Sequence, residues 1–381
     1  MDTINILNST VKIALLLSSK QSISEVFIRE KINGLRKYSF IVVDCYYDNY
    51  LKGFGKLRLF IYFIKMLFSF PRLFKFYFGF GNSSVKQKIA QIFLNLPLLT
   101  SNKRYDFIHY GFANLICNRA HLGKVIGAKT SISLRGYDIT YYPINHPDCY
   151  VGVWKYVDKI HYNSYDLYAW ALRWGADPKI PSTYISAAVN DDIIAEKRIH
   201  TLKSKYKFAS IGRLHWKKGI DFALLALREI KTAGIEFDYS IYGIGPETEK
   251  LNFLIDRLGL SENVEIRDFL KHSEIPACLD KIDVLIVPSL QEGCSNITLE
   301  AQARGCYCVA FDSEGMNSII KENVSGKIVP IGDWKSLSSA LIEYSNLSLE
   351  EYNYRSKFAI DFIKNNFSRS TQIQKWVEFY I

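Results

Sequence analysis

Short apolar runs alternate with stretches of helical period along almost the whole chain. Val11 to Leu17 and Phe40 to Val43 each read as a buried strand, and apolar positions 27, 28, 32 and 35 between them fit a helix, which makes a βαβ unit. Residues 105–115 and 130–139 each read as a strand running into a loop, and 158–190 continue the alternation. The second half is more regular. Strands are expected at 206–212, 238–243, 263–267, 283–287, 306–311 and 327–329. Helices are expected at 218–232, 246–258, 272–281, 296–304, 315–322 and 333–345. Such alternation specifies parallel, doubly wound sheets, so the expected class is α/β, and 381 residues suggest two domains. The boundaries read as 1–190 for the first domain, the polar run 191–204 as a linker, 205–365 for the second, and 366–381 as a last helix.

The run with most chemistry is 284–305. Val284 to Val287 form a buried strand, Pro288 ends it, and Ser295 or Asn296 can cap a helix that reaches Gly305. Ligands of open α/β sheets bind at the carboxyl edge of the strands. The amides of Gly293, Cys294, Ser295 and Asn296, with Ile297 behind them, are placed to meet oxygen-rich or anionic groups there. Glu292 and Glu300 bracket the turn, and a carboxylate accepts two hydrogen bonds from a vicinal diol. Both are equally compatible with a solvated loop acid and an ordinary helix former.

Gly212-Arg213-Leu214-His215-Trp216-Lys217-Lys218-Gly219 follows the first strand of the second domain and reaches the same edge. Gly212 allows close approach to a ligand, Arg213 offers a planar fork to phosphate, and Lys218 a point charge. Tyr242-Gly243-Ile244-Gly245 is a second glycine turn, suited to close chain approach with Gly245 near phosphates. There is no Walker loop, no Asp-x-Asp and no cluster with metal-ligand spacing, so neither ATP hydrolysis nor a metal site is expected.

Composition changes the picture in one segment. The net charge is +10, and no acid occurs between Asp48 and Asp106, where ten Lys and Arg lie. The other 38 basic side chains balance 38 acidic ones. In 51–100, Arg58, Lys65 and Arg72 recur every seven residues, opposite Leu57, Phe60, Ile61, Ile64, Leu67 and Phe68. Pro71 should interrupt the helix after Phe70. No apolar run approaches the roughly 18 residues that span a bilayer. The pattern fits a helix lying in an anionic membrane surface, or a helical insert whose basic side faces water. A nucleic-acid partner is not expected, since no binding module is present. The seven cysteines include no CxxC, and the 13–17 run is too short for a signal peptide, so a reduced, cytoplasmic protein on the inner face of the membrane is expected.

Glu292-x7-Glu300 after a Pro-Ser strand end, followed by Glu-Ala-x-Ala-x-Gly, resembles the signature of retaining glycosyltransferase family 4, and the 212–219 element resembles that family's diphosphate-binding turn. The resemblance implies a GT-B fold, two Rossmann-like domains facing a central cleft. It implies transfer of a sugar, without a metal or other cofactor, from a nucleoside diphosphate sugar (UDP or GDP) to a lipid-linked or polysaccharide acceptor in bacterial surface polysaccharide synthesis. It places Glu292 beside the transferred sugar, Glu300 on the ribose and Leu270 at the base. Ser24 and Glu25 resemble the acceptor loop of the exopolysaccharide branch. His109, Arg135 and Asp138 resemble the catalytic and acceptor pieces of the first domain, with two departures: Gly111 replaces a second histidine, and Arg135 stands where histidine is usual. Arginine cannot shuttle protons. These departures leave open a non-catalytic scaffold of a polysaccharide complex, and the fold also leaves open a sugar-nucleotide epimerase.

Overall fold

The computed structural model describes residues 10–18, 26–48, 56–80, 84–201 and 203–381. The chain divides into two compact units, residues 1–185 with 373–381, and residues 186–372. Each holds a six-stranded sheet whose described pairings are all parallel.

The first sheet contains β1 (Val11–Leu17), β2 (Ile41–Tyr47), β3 (Phe107–Tyr110), β4 (Lys129–Leu134), β5 (Lys159–Tyr162) and β6 (Ser182–Tyr184), in the order β2-β1-β3-β4-β5-β6. Its helices are α1 (Val26–Leu35), α2 (Lys56–Phe68), α3 (Phe70–Phe78), α4 (Val85–Leu99), α5 (Leu122–Ile126), α6 (Tyr142–Asn145) and α7 (Tyr165–Arg173). Successive strand residues point to opposite faces. Ala14 and Leu16 therefore enter one core with Ile108, Ile132 and Ile160. Ile13, Leu15 and Leu17 enter the other with Ile28, Val43 and Phe107, beneath Trp376 and Tyr380. Burial on both faces is why β1 reads as a continuous apolar run rather than an alternating one.

The second sheet contains β7 (Tyr206–Ile211), β8 (Phe237–Tyr242), β9 (Val264–Arg267), β10 (Val284–Val287), β11 (Tyr307–Phe311) and β12 (Gly326–Val329), in the order β12-β11-β10-β7-β8-β9. Its helices are α8 (Ile220–Thr232), α9 (Thr248–Arg257), α10 (Ile275–Leu279), α11 (Asn296–Ala303), α12 (Met316–Ile319), α13 (Trp334–Ser345) and α14 (Leu349–Asn366); α15 (Arg369–Tyr380) follows. The strand order reverses between β10 and β7, the point at which an open sheet offers a crevice to ligands.

The polar run 191–204 makes contacts within the second unit: Arg198 donates to the carbonyls of Leu279 and Ile282, and Lys203 pairs with the buried Asp283. One expectation changes. The heptad of Arg58, Lys65 and Arg72 does not lie on one helix. The helix stops at Ser69, and Pro71 opens α3. Proline is tolerated in a first turn, where its missing N–H has no helical partner to lose. Arg72 then turns inward and donates to the Ser101 carbonyl at 2.6 Å. The Arg58 side chain, and Ser24 and Glu25, lie outside what the structure describes.

Candidate donor-binding site

The site of interest lies at the carboxyl edge of the second sheet. β7 and β10 are adjacent and parallel, so the turns after them leave side by side. Gly219 brings the two turns into contact. It has φ +56, and a Cβ there would lie 2.1 Å from the Pro288 carbonyl oxygen, so only glycine fits. The Leu290 amide then donates to the Lys217 carbonyl at 2.8 Å and locks the turns together. Gly212, Arg213, Lys218, Pro288, Ser289 and Ile297 line one cavity.

Within this edge Lys218 forms an ion pair with Glu292, 74 residues away in the chain. Ser289 donates its hydroxyl to the same carboxylate at 2.9 Å. Arg213 is exposed at the mouth. Gly245 is packed against Leu214, where a Cβ would stand 2.1 Å from the Leu214 carbonyl oxygen, so this glycine serves close chain approach. Ser295 occupies the N-cap position of α11, but its hydroxyl accepts from the Thr298 hydroxyl at 2.8 Å instead of from a backbone amide. No side chain caps that terminus, so its first amides face the edge with no side-chain acceptor from the cap. Cys294 Sγ lies 3.4 Å from Ser186 Oγ, between Gly293 and the start of α11 at Asn296.

Glu300 stands three residues after Ile297 and so on the same side of α11. It is 9% exposed, and burial raises its carboxyl to a pKa of about 7. The His272 Nδ1 lies 3.8 Å from Glu300 Oε1. His272 begins the turn that follows the half-buried Leu270, so the loop after β9 reaches Glu300.

The first unit treats its predicted residues differently. His109 is wholly buried in β3. Its Nδ1 is 2.8 Å from the Ser131 hydroxyl and its Nε2 is 2.9 Å from that of Ser133. Lys31 Nζ lies 3.3 Å from Nε2, and the rings of Trp376, Phe379 and Tyr380 close over the group. Burial and then the adjacent Lys31 hold this imidazole well below the ordinary histidine range. His109 points into the face beneath the last helix, because position 109 shares the parity of Phe107. Asp138 is also buried, at 2% exposure. It accepts from the amides of Ala113 at 2.8 Å, Arg135 at 3.0 Å and Gly136 at 2.9 Å. Burial raises its carboxyl, and these donors and Arg135 oppose the rise. In this structure it holds the Arg135 turn. Arg135 is partly buried and donates from Nε to the Gly111 carbonyl at 2.8 Å.

Two side chains not singled out from the sequence also face the donor edge. Lys217 is drawn below the ordinary lysine range by burial and then by Arg213, while Glu292 and Glu314 oppose this. Glu314, three residues past the end of β11, accepts from the Glu292 amide at 3.4 Å. The Lys-Lys doublet was a visible signal for the first. Nothing local marks the second, because its neighbour Glu292 lies in the turn after another strand, β10.

The sequence profile described as Glycosyl transferases group 1 matches residues 192–362. WcaL of Escherichia coli, assigned to colanic acid biosynthesis as a glycosyltransferase, is 28% identical over 270 residues, covering 68% of this chain and 66% of its own. The amylovoran biosynthesis glycosyltransferase AmsK of Erwinia amylovora is 27% identical over 266 residues, covering 66% and 65%. The chain thus spans somewhat less than two thirds of the length of these relatives. Among solved structures, HepE of Anabaena in complex with UDP and glucose superposes with a TM-score of 0.69 at 15% identity, covering 97% of this chain and 98% of that one. The lipopolysaccharide outer core galactosyltransferase WaaB in its apo form gives 0.71 at 16%, covering 97% and 99%. These are GT-B proteins, and the two parallel-sheet units described above are that fold. The second unit, with its doubly wound sheet and the glycine-hinged edge between β7 and β10, belongs to the glycosyl transferases group 1 family.

Proposed function

We propose that this protein is a retaining glycosyltransferase of bacterial surface polysaccharide synthesis. It moves a sugar from a UDP- or GDP-sugar to a lipid-linked or polysaccharide acceptor, without a metal. The observation that carries the reading is the convergence of Gly212, Arg213, Lys218 and the Glu292 turn on one strand edge within a group 1 domain. The complexes of HepE with UDP and glucose, and the relatives' part in exopolysaccharide synthesis, support it.

In this mechanism the diphosphate sits against Arg213, Lys217, Lys218 and the amides of α11. Its negative charge grows as the glycosidic bond breaks, and fixed cations and amides stabilise that charge more than they stabilise the ground state. Glu292 lies beside the sugar and keeps Lys218 in place until the donor arrives. Glu300 accepts the ribose hydroxyls, and the loop at Leu270 meets the base. The acceptor hydroxyl attacks the face from which the diphosphate leaves, and its proton passes to the departing phosphate, so no protein nucleophile and no role for the enclosed His109 is needed. Arg135 and the Asp138-held turn belong to the acceptor side.

The acceptor setting is an anionic membrane surface on its cytoplasmic side. Among the described residues no helix is long and apolar enough to cross a membrane. Instead α3 and α4 present two apolar rows. Phe70, Phe74 and Phe78 are 63, 52 and 61% exposed, and Val85, Ile89 and Phe93 are 59, 45 and 52% exposed. Lys75, Lys86 and Lys88 flank them. Apolar rows of this size on water-facing helices mark a binding surface.

Thermal unfolding with UDP, GDP, ADP and CMP tests the donor reading. A nucleotide at 100 times its Kd should add roughly 2.7 kcal/mol. A protein unmoved by every nucleotide would leave the scaffold reading standing.

A further inference from the structure

Resting on that donor reading, we propose that Glu314 sets donor specificity by charge: with Glu292 it forms an acidic wall beside the transferred sugar that admits neutral or amino sugars and rejects sugars bearing a carboxylate. β10 and β11 are neighbours in parallel register, with Val287 opposite Ala310, so the turns that follow them leave the sheet together. Glu292 lies in one and Glu314 in the other, and Glu314 Oε2 accepts from the Glu292 amide at 3.4 Å. The turn that carries Glu314 is ordered from both ends. Ser313 donates its amide to Phe311 at 2.8 Å, Met316 to Ser313 at 3.1 Å, and Asn317 bonds to the Asp312 carboxylate. Gly315 makes the tight step at φ +87. A flexible surface acid would leave no fixed field; this one has a fixed base.

The two acids lie on adjacent turns beside a group of cations. Lys218 pairs with Glu292, and Lys217 feels Arg213 and both acids. A diphosphate takes up those same cations when it binds. What then faces the sugar is the acids, which accept from hydroxyl or ammonium groups but meet a uronate as a like charge. Unit charges about 5 Å apart at a half-exposed site repel strongly enough to lower affinity roughly tenfold.

The test is competition binding to the intact protein with two donor pairs that differ only at C6: UDP-glucose against UDP-glucuronate, and GDP-mannose against GDP-mannuronate. UDP and GDP alone are run beside them. For the nucleotide that binds, the uronate should be weaker than its parent by roughly tenfold. Glu314→Gln should shrink that ratio to a few-fold or less, Glu314→Lys should reverse it, and Glu314→Asp should keep it. A ratio near one in the wild type, or one that Glu314→Gln leaves unchanged, overturns the proposal while the donor reading survives. Failure of both bare nucleotides to bind removes the donor reading itself, and this proposal with it.

Discussion

The Lys218 ammonium and the Glu292 carboxylate pair across two turns that leave adjacent strands, 74 residues apart in the chain. In the proposed mechanism this pair stores the cation next to the position it takes up when the donor arrives, at little cost in reorganisation. The Ser289 hydroxyl holds the carboxylate from the other side at 2.9 Å.

Removing a preorganised donor of this type typically lowers kcat by roughly 100- to 1,000-fold. Lys218→Ala and Arg213→Ala should each show a loss of that order in donor turnover, with only a small change in thermal midpoint, since both side chains reach solvent. The measurement is kcat with saturating donor alongside a melting curve. Turnover within a few-fold of wild type in both variants would dismiss the clamp.

Glu300 predicts a pH effect with a definite sign. Its folded pKa is about 7 against an ordinary value of 4.5, raised by burial. A raised carboxyl contributes stability that is fully present below about 4.5 and is lost as pH rises through about 7. A bound diol favours the carboxylate, so the ligand pulls this pKa back down and releases a proton. Nucleotide affinity should therefore rise with pH through this window, by at most about tenfold per pH unit. Calorimetry in buffers of different ionisation enthalpy reads the released proton. Glu300→Gln should bind more weakly and show no such proton, and an unchanged proton count in that variant would free Glu300 of this role.

The buried row in the first unit gives the opposite dependence. His109 and His161 are both wholly enclosed and held well below the ordinary histidine range, chiefly by burial. A depressed imidazole pKa means that the unfolded chain takes up protons first, so stability falls as pH drops below about 6.5. Each site can contribute up to about 1.4 kcal/mol per pH unit there. His109→Gln should flatten the acid limb of the first unit's unfolding curve while lowering stability at neutral pH. An acid limb as steep as in the wild type would assign the effect elsewhere.

For the membrane face, Lys86→Ala with Lys88→Ala should weaken sedimentation with anionic vesicles by roughly 2 kcal/mol, about thirtyfold, at about 1 kcal/mol per cation. Binding to neutral vesicles should not change. Phe74→Ser with Phe78→Ser should weaken both, because the apolar contact does not depend on lipid charge. Equal binding of all forms to both vesicles would leave α3 and α4 without this role.

Gly219→Ala tests the hinge of the donor edge. A left-handed residue with its Cβ 2.1 Å from a carbonyl oxygen cannot be accommodated without moving the Pro288 turn. The expected result is destabilisation of at least about 1 kcal/mol, together with weaker nucleotide binding. Nucleotide affinity equal to wild type would show that the two turns need not touch.

Much of this was legible from residue order alone, because it is local. Apolar runs bounded by glycine and proline are strands in any surroundings that bury them, so every strand of the second sheet lies within a residue or so of its expected place. The 212–219 and 292–300 elements carry their chemistry in contiguous residues, and strand parity and connection handedness bring them to one edge. Tertiary structure decided what depends on distant partners. His109 stood in a run read as a strand passing into a loop, and its parity with Phe107 turns it beneath Trp376 and Tyr380, from a segment more than 260 residues away. Arg72 fell on a seven-residue repeat, yet the break at Ser69 rotates it toward Ser101. Glu314 carried no motif, and only the pairing of β10 with β11 makes it a neighbour of Glu292. Period and turn chemistry are properties of neighbours in the chain, whereas burial, pairing and pKa belong to neighbours in space.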